Sequence, residues 1–197
     1  MPEDENALLA DSPPLGRDKH DRPAGKLDME LHPLRMTIGS LEATLSWRLL
    51  LRNAGQTHLV ALRIASDLAC AMALQVNGDQ LSGPEMSLAR TQRAKRIDPG
   101  AEMEIAGENA IPLSGLKPIV KNGRHMILPI MRLRIVGAGI APLRRAFLVG
   151  KPPALHDERL RPVQLEKDGR VLTELSARLV APATDLSGET EKLGANA

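Results

Sequence analysis

Residues 41–52, LEATLSWRLLLR, alternate with a period of two, and this alternation narrows the choice of fold more than any other feature of the chain. Leu41, Ala43, Leu45, Trp47, Leu49 and Leu51 fall on one side. Glu42, Thr44, Ser46, Arg48 and Arg52 fall on the other, interrupted only by Leu50. A helix would scatter these residues around its axis, whereas a strand puts every second side chain on the same face. One apolar and one polar face describe a strand of an antiparallel sheet with one side in water. Asn53-Ala54-Gly55 ends the run, because Asn and Gly tolerate the positive φ of tight turns. In the next run, residues 58–68, Val60, Leu62 and Ile64 alternate with Ala61, Arg63 and Ala65. Strand, turn, strand predicts a hairpin or a neighbouring pair.

The same period recurs elsewhere. Leu27, Met29 and Leu31 alternate, then Pro33 intervenes and Leu34, Met36 and Ile38 continue in the opposite phase. A proline at a phase change predicts an edge strand with a bulge or a switch of sheet. Asp98-Pro99-Gly100 predicts a turn before a short strand over residues 102–105, with Glu102, Glu104 and Glu108 on its solvated face and rim. A longer run, residues 124–136, is interrupted by Pro129, and residues 143–149 supply a further strand. Two segments stay open. Ser82-Gly83-Pro84-Glu85 has capping-box spacing ahead of residues 86–96, so 83–96 reads as a basic helix, a strand or a long loop. Residues 171–180 fit a helix better than a strand, through Leu172, Leu175 and Leu179 and the Glu174–Arg178 spacing. The fold expected is therefore mainly β, with one or two short helices. A single domain spans 27–181, between an acidic tail (1–26) and a C-terminal tail (182–197) whose compositions cannot offset the entropy of ordering and read as disordered.

The stretch Ile135-Val136-Gly137-Ala138-Gly139-Ile140-Ala141-Pro142 imitates a dinucleotide-binding fingerprint. Such a site needs a third small residue and a helix whose N-terminus faces the pyrophosphate. Here Pro142 stands at the third glycine position, and only eight residues, ending at Gly150, precede Pro152 and Pro153. The stretch reads instead as the loop of a hairpin joining 124–136 to 143–149, and no cofactor is expected.

Other chemistries find little support. The chain has no Tyr, one Phe (Phe147) and one Trp (Trp47), which disfavours sites that stack sugars or single-stranded bases on aromatic rings. Cys70 is the only cysteine, so no intrachain disulfide is expected, and a small buried hydrophobe is the expected role. His20, His32, His58, His125 and His156 lack the spacing of a metal motif, and there is neither a G-x-S-x-G nor a P-loop. The chain is read as a non-enzyme. No run approaches the ~18 apolar residues of a membrane span, and the N-terminal residues lack the apolar core of a signal peptide. A cytoplasmic protein is expected.

The order of features resembles bacterial immunoglobulin-like β-sandwich modules, and more weakly sandwich proteins of alphaproteobacteria. The carrying residues are LSWRLLLRNAGQTHLVALRIASDL (45–68) and IDPGAEMEI (97–105), and the resemblance covers about residues 27–150. It implies an antiparallel β-sandwich. The cysteine pair of antibody-type domains is absent, so Trp47 would pack without a disulfide. Such modules serve as adhesins, chaperones and accessory domains, so the resemblance implies no single function.

Charge supplies the remaining clue. Residues 1–30 hold eight acids and four bases, residues 157–197 eight acids and six bases, and residues 31–156 eight acids and sixteen bases. Within that basic body Arg90, Arg93, Lys95 and Arg96 lie close in sequence. Arg132 and Arg134 are two apart on one strand, and Arg144 and Arg145 sit on its expected partner. Arginines on a sheet face can simply keep it soluble, or they can converge on an anion. The expectation is a non-catalytic interaction or scaffold module that binds another protein through a sheet edge or this basic face. The alternative is a peripheral binder of anionic lipid or nucleic acid.

Overall fold

The computed structural model of the 197-residue chain describes residues 26–71, 88–114, 116, 118–155, 158–165 and 169–180. The capping-box segment and all but one residue of the two expected tails lie outside them.

The described residues form β1 (Leu27–Ile38), β2 (Glu42–Asn53), β3 (Leu59–Cys70), β4 (Arg90–Ile97), β5 (Glu102–Pro112), β6 (Ile119–Lys121), β7 (Arg124–Ile127), β8 (Pro129–Ala138), β9 (Ile140–Gly150), β10 (Val163–Gln164), β11 (Arg170–Leu172) and β12 (Ser176–Leu179). They assemble into a first sheet, β11-β1-β2-β5, a second sheet, β12-β9-β8-β3-β4, and a small third sheet, β10-β7-β6. Every pairing is antiparallel. The protein is thus mainly β, and no α-helix occurs among the described residues.

The alternation in β2 holds residue by residue. Ala43, Leu45, Trp47, Leu49 and Leu51 are buried, and only Leu41, ahead of the strand, is exposed. They join Leu62, Ile64, Met131, Leu133, Ile135, Phe147 and Val149 of the second sheet in one hydrophobic cluster, so the inner faces of both sheets share a core. Cys70 is buried in the same cluster. Across the core runs one buried polar link. Trp47 Nε1 donates to Asn109 Oδ1 (2.8 Å), Ser66 Oγ donates to the same oxygen (3.1 Å), and Asn109 Nδ2 donates to the Ser66 carbonyl (3.2 Å). Each member lies within hydrogen-bond reach, as buried polar groups require.

The expected bulge at Pro33 is present: the β1–β2 register shifts between Pro33 and Arg35. Residues before the bulge bury odd positions and those after it even ones. Pairing with β11 begins only at Met36, so the Pro33 half of β1 lies at an edge among the described residues.

Three expectations are corrected. First, β2 and β3 do not pair; they lie in different sheets, and Asn53 fastens the crossover between them. Its fully buried side chain donates to the carbonyls of Thr57 (2.8 Å) and Ile97 (3.1 Å) and accepts from the Gly55 amide (3.1 Å). Second, Ala61 has φ 53° and the β3–β8 register shifts between Val60 and Arg63, so Leu59 and Leu62 turn inward and Val60 stays outside. Third, residues 171–180 are not helical. β11 pairs with the end of β1 and β12 pairs with β9. Two open sheet edges offer backbone hydrogen bonds to both pieces, and that outweighs a weak helical preference. Likewise residues 90–97 of the open basic segment are a strand, paired with β3.

Candidate interaction face

The outer face of the second sheet is built from residues that alternate with its core. In β3, Leu62 and Ile64 point inward and Arg63 outward; in β8, Leu133 and Ile135 point inward and Arg134 outward. The register sets Arg63 directly opposite Arg93 and Arg134 directly opposite Arg144. Because Arg63 faces Val136 and Ala65 faces Arg134, Arg63 and Arg134 are diagonal neighbours across β3 and β8. Directly opposed Cβ atoms lie about 5 Å apart and diagonal neighbours about 7–8 Å. Arg93, Arg63, Arg134 and Arg144 therefore form a continuous diagonal over four strands, and Lys95 extends it along β4. Among the described residues no carboxylate pairs with Arg63, Arg93, Lys95 or Arg144.

The residues expected in the basic set divide. Arg93, Lys95, Arg134 and Arg144 share this face. Arg132 is on it too but is 8% exposed and directly opposite Asp67, to which its Nε donates (2.8 Å) while Nη2 binds the second carboxylate oxygen. It is neutralised in place. Arg145 stands opposite the buried Leu133, hence in the inward phase of β9, and its Nη1 donates to the Arg144 carbonyl (2.8 Å). Arg90 is opposite the buried Ser66, also off the face. Arg96 turns to the end of the sheet, where its Nε binds Asp98 Oδ1 and His58 Nδ1 lies 2.8 Å from the same oxygen. The Arg96 hydrogen bond, followed by that of His58, holds the Asp98 carboxyl below its ordinary 3.8. Arg63, central to the diagonal, was not among the expected residues. Its signal was its place on the polar side of the alternating run at 58–68, but it lies far from the others in sequence.

The first sheet's outer face differs in kind. Arg35 faces Glu108 (3.7 Å), Arg48 faces Glu104 (3.3 Å) and Arg52 faces Glu102 (4.0 Å). These exposed pairs contribute little individually, but they neutralise that face, and Asp28, Glu30 and Glu42 add further negative charge. One side of the protein is thus cationic and the other compensated to acidic.

The glycine-rich stretch is the β8–β9 turn, with Gly137 paired to Ile140 and Gly139 at φ 86°. A Cβ on Gly139 would run into the His58 carbonyl, and one on Gly137 would stand 2.6 Å from Leu62. The two glycines serve close approach of the turn to β3. Among the described residues no group of three or more His, Cys, Asp or Glu could hold a metal, and no helix is long and apolar enough to cross a membrane.

No protein-family model matches the chain, and no curated protein matches it. Among solved structures, a Bordetella pertussis protein assigned as ApaA is similar at 13% identity and a TM-score of 0.32, over 62% of this chain and 89% of that one. That likeness is too loose to carry any inference about fold or function.

Proposed function

We propose that the protein is a non-catalytic interaction module that recognises an acidic protein partner through the outer face of its second sheet. The scaffold reading is immunoglobulin-like. Lettered A, B, C, C′, E, F, G in chain order, β1-β2-β5 corresponds to an A-B-E sheet and β9-β8-β3-β4 to a G-F-C-C′ sheet, the division used by such sandwiches.

The observation that carries the functional reading is the arginine diagonal. Like charges placed directly opposite on a sheet destabilise it, and here Arg63 and Arg93, neither with a carboxylate partner among the described residues, form such a pair, with Arg144 farther along the same diagonal. An anionic partner removes that repulsion and offers carboxylates to the planar guanidinium forks. A protein partner is favoured over single-stranded nucleic acid because both bulky aromatics, Trp47 and Phe147, are buried and leave no ring for a base to stack on.

The test compares the full-length protein and an Arg63→Gln/Arg144→Gln variant for binding to polyglutamate, duplex DNA and vesicles containing anionic lipid. Polyglutamate binding that exceeds the other two and drops in the variant is the expected result. Preference for DNA or vesicles, lost in the same variant, would replace the protein reading with a peripheral anion binder. Binding unaffected by the variant would remove the face from consideration.

A further inference from the structure

We infer that the partner is an extended acidic segment that adds to the second sheet as a new strand along β4; this rests on the reading of the cationic face given above. Of the outermost strands, β11 and β12 span three and four residues and offer little to pair with. β5 is long, but Glu102, Glu104 and Glu108 are already paired with Arg52, Arg48 and Arg35, and the Ala106 carbonyl accepts from Gln92 Nε2 (2.7 Å). β4 spans eight residues, and its edge away from β3 has no backbone partner among the described residues.

Two independent features of β4 describe what can pair there. On its outer side Arg93 and Lys95 are exposed and, among the described residues, lack carboxylate partners. A second β4 would set cation against cation, so the same charges that discourage self-pairing select a strand with acids at alternate positions. Successive acids on such a strand recur about every 6.7 Å along the chain, each opposite or diagonal to Arg93 and Lys95. On the inner side Gln92 Oε1 is buried without a hydrogen-bond partner among the described residues. A donor such as a Thr or Ser hydroxyl on the inward side of the added strand would satisfy it. Main-chain hydrogen bonds then supply affinity, and the alternating acids and hydroxyls supply specificity.

The probe is a peptide of alternating glutamate and threonine, about eight residues long to match β4. It is titrated into the full-length protein while amide exchange is followed by NMR. A control peptide carries N-methyl groups on every second amide, along the edge that would face β4. The alternating peptide is expected to slow exchange of the edge-facing amides of β4, to bind about tenfold or more weakly to an Arg93→Glu/Lys95→Glu variant, and to lose binding on N-methylation. Equal binding of both peptides, abolished by the variant, with β4 exchange unchanged, would overturn strand addition and leave the cationic face standing. Absence of binding by either peptide at low salt would overturn both.

Discussion

At Trp47, the one tryptophan, sequence and structure agree on burial and differ on what holds the side chain. The alternation placed Trp47 inside, and it is 1% exposed. It fits because position 107, directly opposite, is glycine; a Cβ there would stand 2.6 Å from Trp47 Cζ2. Its polar partner Asn109 could not be found from pattern, because a buried asparagine on an inward strand position looks like a break in the alternation. Trp47→Ala should lower unfolding free energy by ~3–5 kcal/mol, through lost burial and a residual cavity, with part of the loss coming from the hydrogen bond to the Asn109 oxygen, which then keeps only Ser66 as donor. Denaturant titration measures this, and a loss under ~1 kcal/mol would contradict the packing described. A second residue-scale prediction concerns pH. Arg96 and then His58 lower the folded pKa of Asp98, so its contacts stabilise fully above the ordinary value of 3.8 and are lost as pH falls through the lower folded value. The stability difference between wild type and Asp98→Asn should hold steady above 3.8 and vanish on acidification below it. A difference that persists unchanged in strong acid would show that Asp98 acts through something other than its charge.

Among the elements, period-two runs were legible wherever one face meets the core and the other meets water. That condition revealed β1, β2 and most of β3. Three kinds of information lay beyond it. The partner of a strand depends on the whole core: β2 and β3, adjacent in sequence, lie in different sheets whose inner faces share that core, and the buried Asn53 ties the crossover to the Ile97 carbonyl at the end of β4. Short edge strands take their shape from the edges they meet, which is why a helix-like spacing at 171–180 became β11 and β12. The β6–β7 hairpin did carry a local signal, Asn122-Gly123 at φ 52° and 71°, although the run was read as starting at Arg124. The β8–β9 turn is the element where local chemistry and tertiary approach coincide. Gly139→Ala should destabilise by ~1–3 kcal/mol, because an alanine must hold φ 86° and also displace the His58 carbonyl. Denaturation midpoints test this, and an unchanged midpoint would mean that the turn can relax away from β3.

On the scale of the molecule, the two outer faces handle charge in opposite ways. The first sheet matches each of Arg35, Arg48 and Arg52 with a glutamate of β5, whereas on the outer face of the second sheet, among the described residues, Arg132 is neutralised by Asp67 while Arg63 stands opposite Arg93 with no carboxylate partner for either. The basic body was visible in composition, but which cations converge was not, since that depends on register: Arg144 joins the face and its neighbour Arg145 leaves it. Unrelieved repulsion has a consequence that solubility alone does not predict. Replacing Arg63 or Arg93 by Gln removes this directly opposed pair, so each variant should be more stable than wild type by ~0.2–1 kcal/mol at low ionic strength. The gain should shrink as salt screens the remaining charges. If the face binds an acidic partner, the same substitutions weaken that binding, so stability and affinity move in opposite directions in one pair of variants. If the arginines act only as solvated surface, the stability gain appears with no change in polyglutamate affinity. Denaturation and binding measured on the same samples at low and high salt therefore separate a face kept for a ligand from one kept for solubility. A loss of stability in both variants would show instead that contacts within the sheet already offset the repulsion.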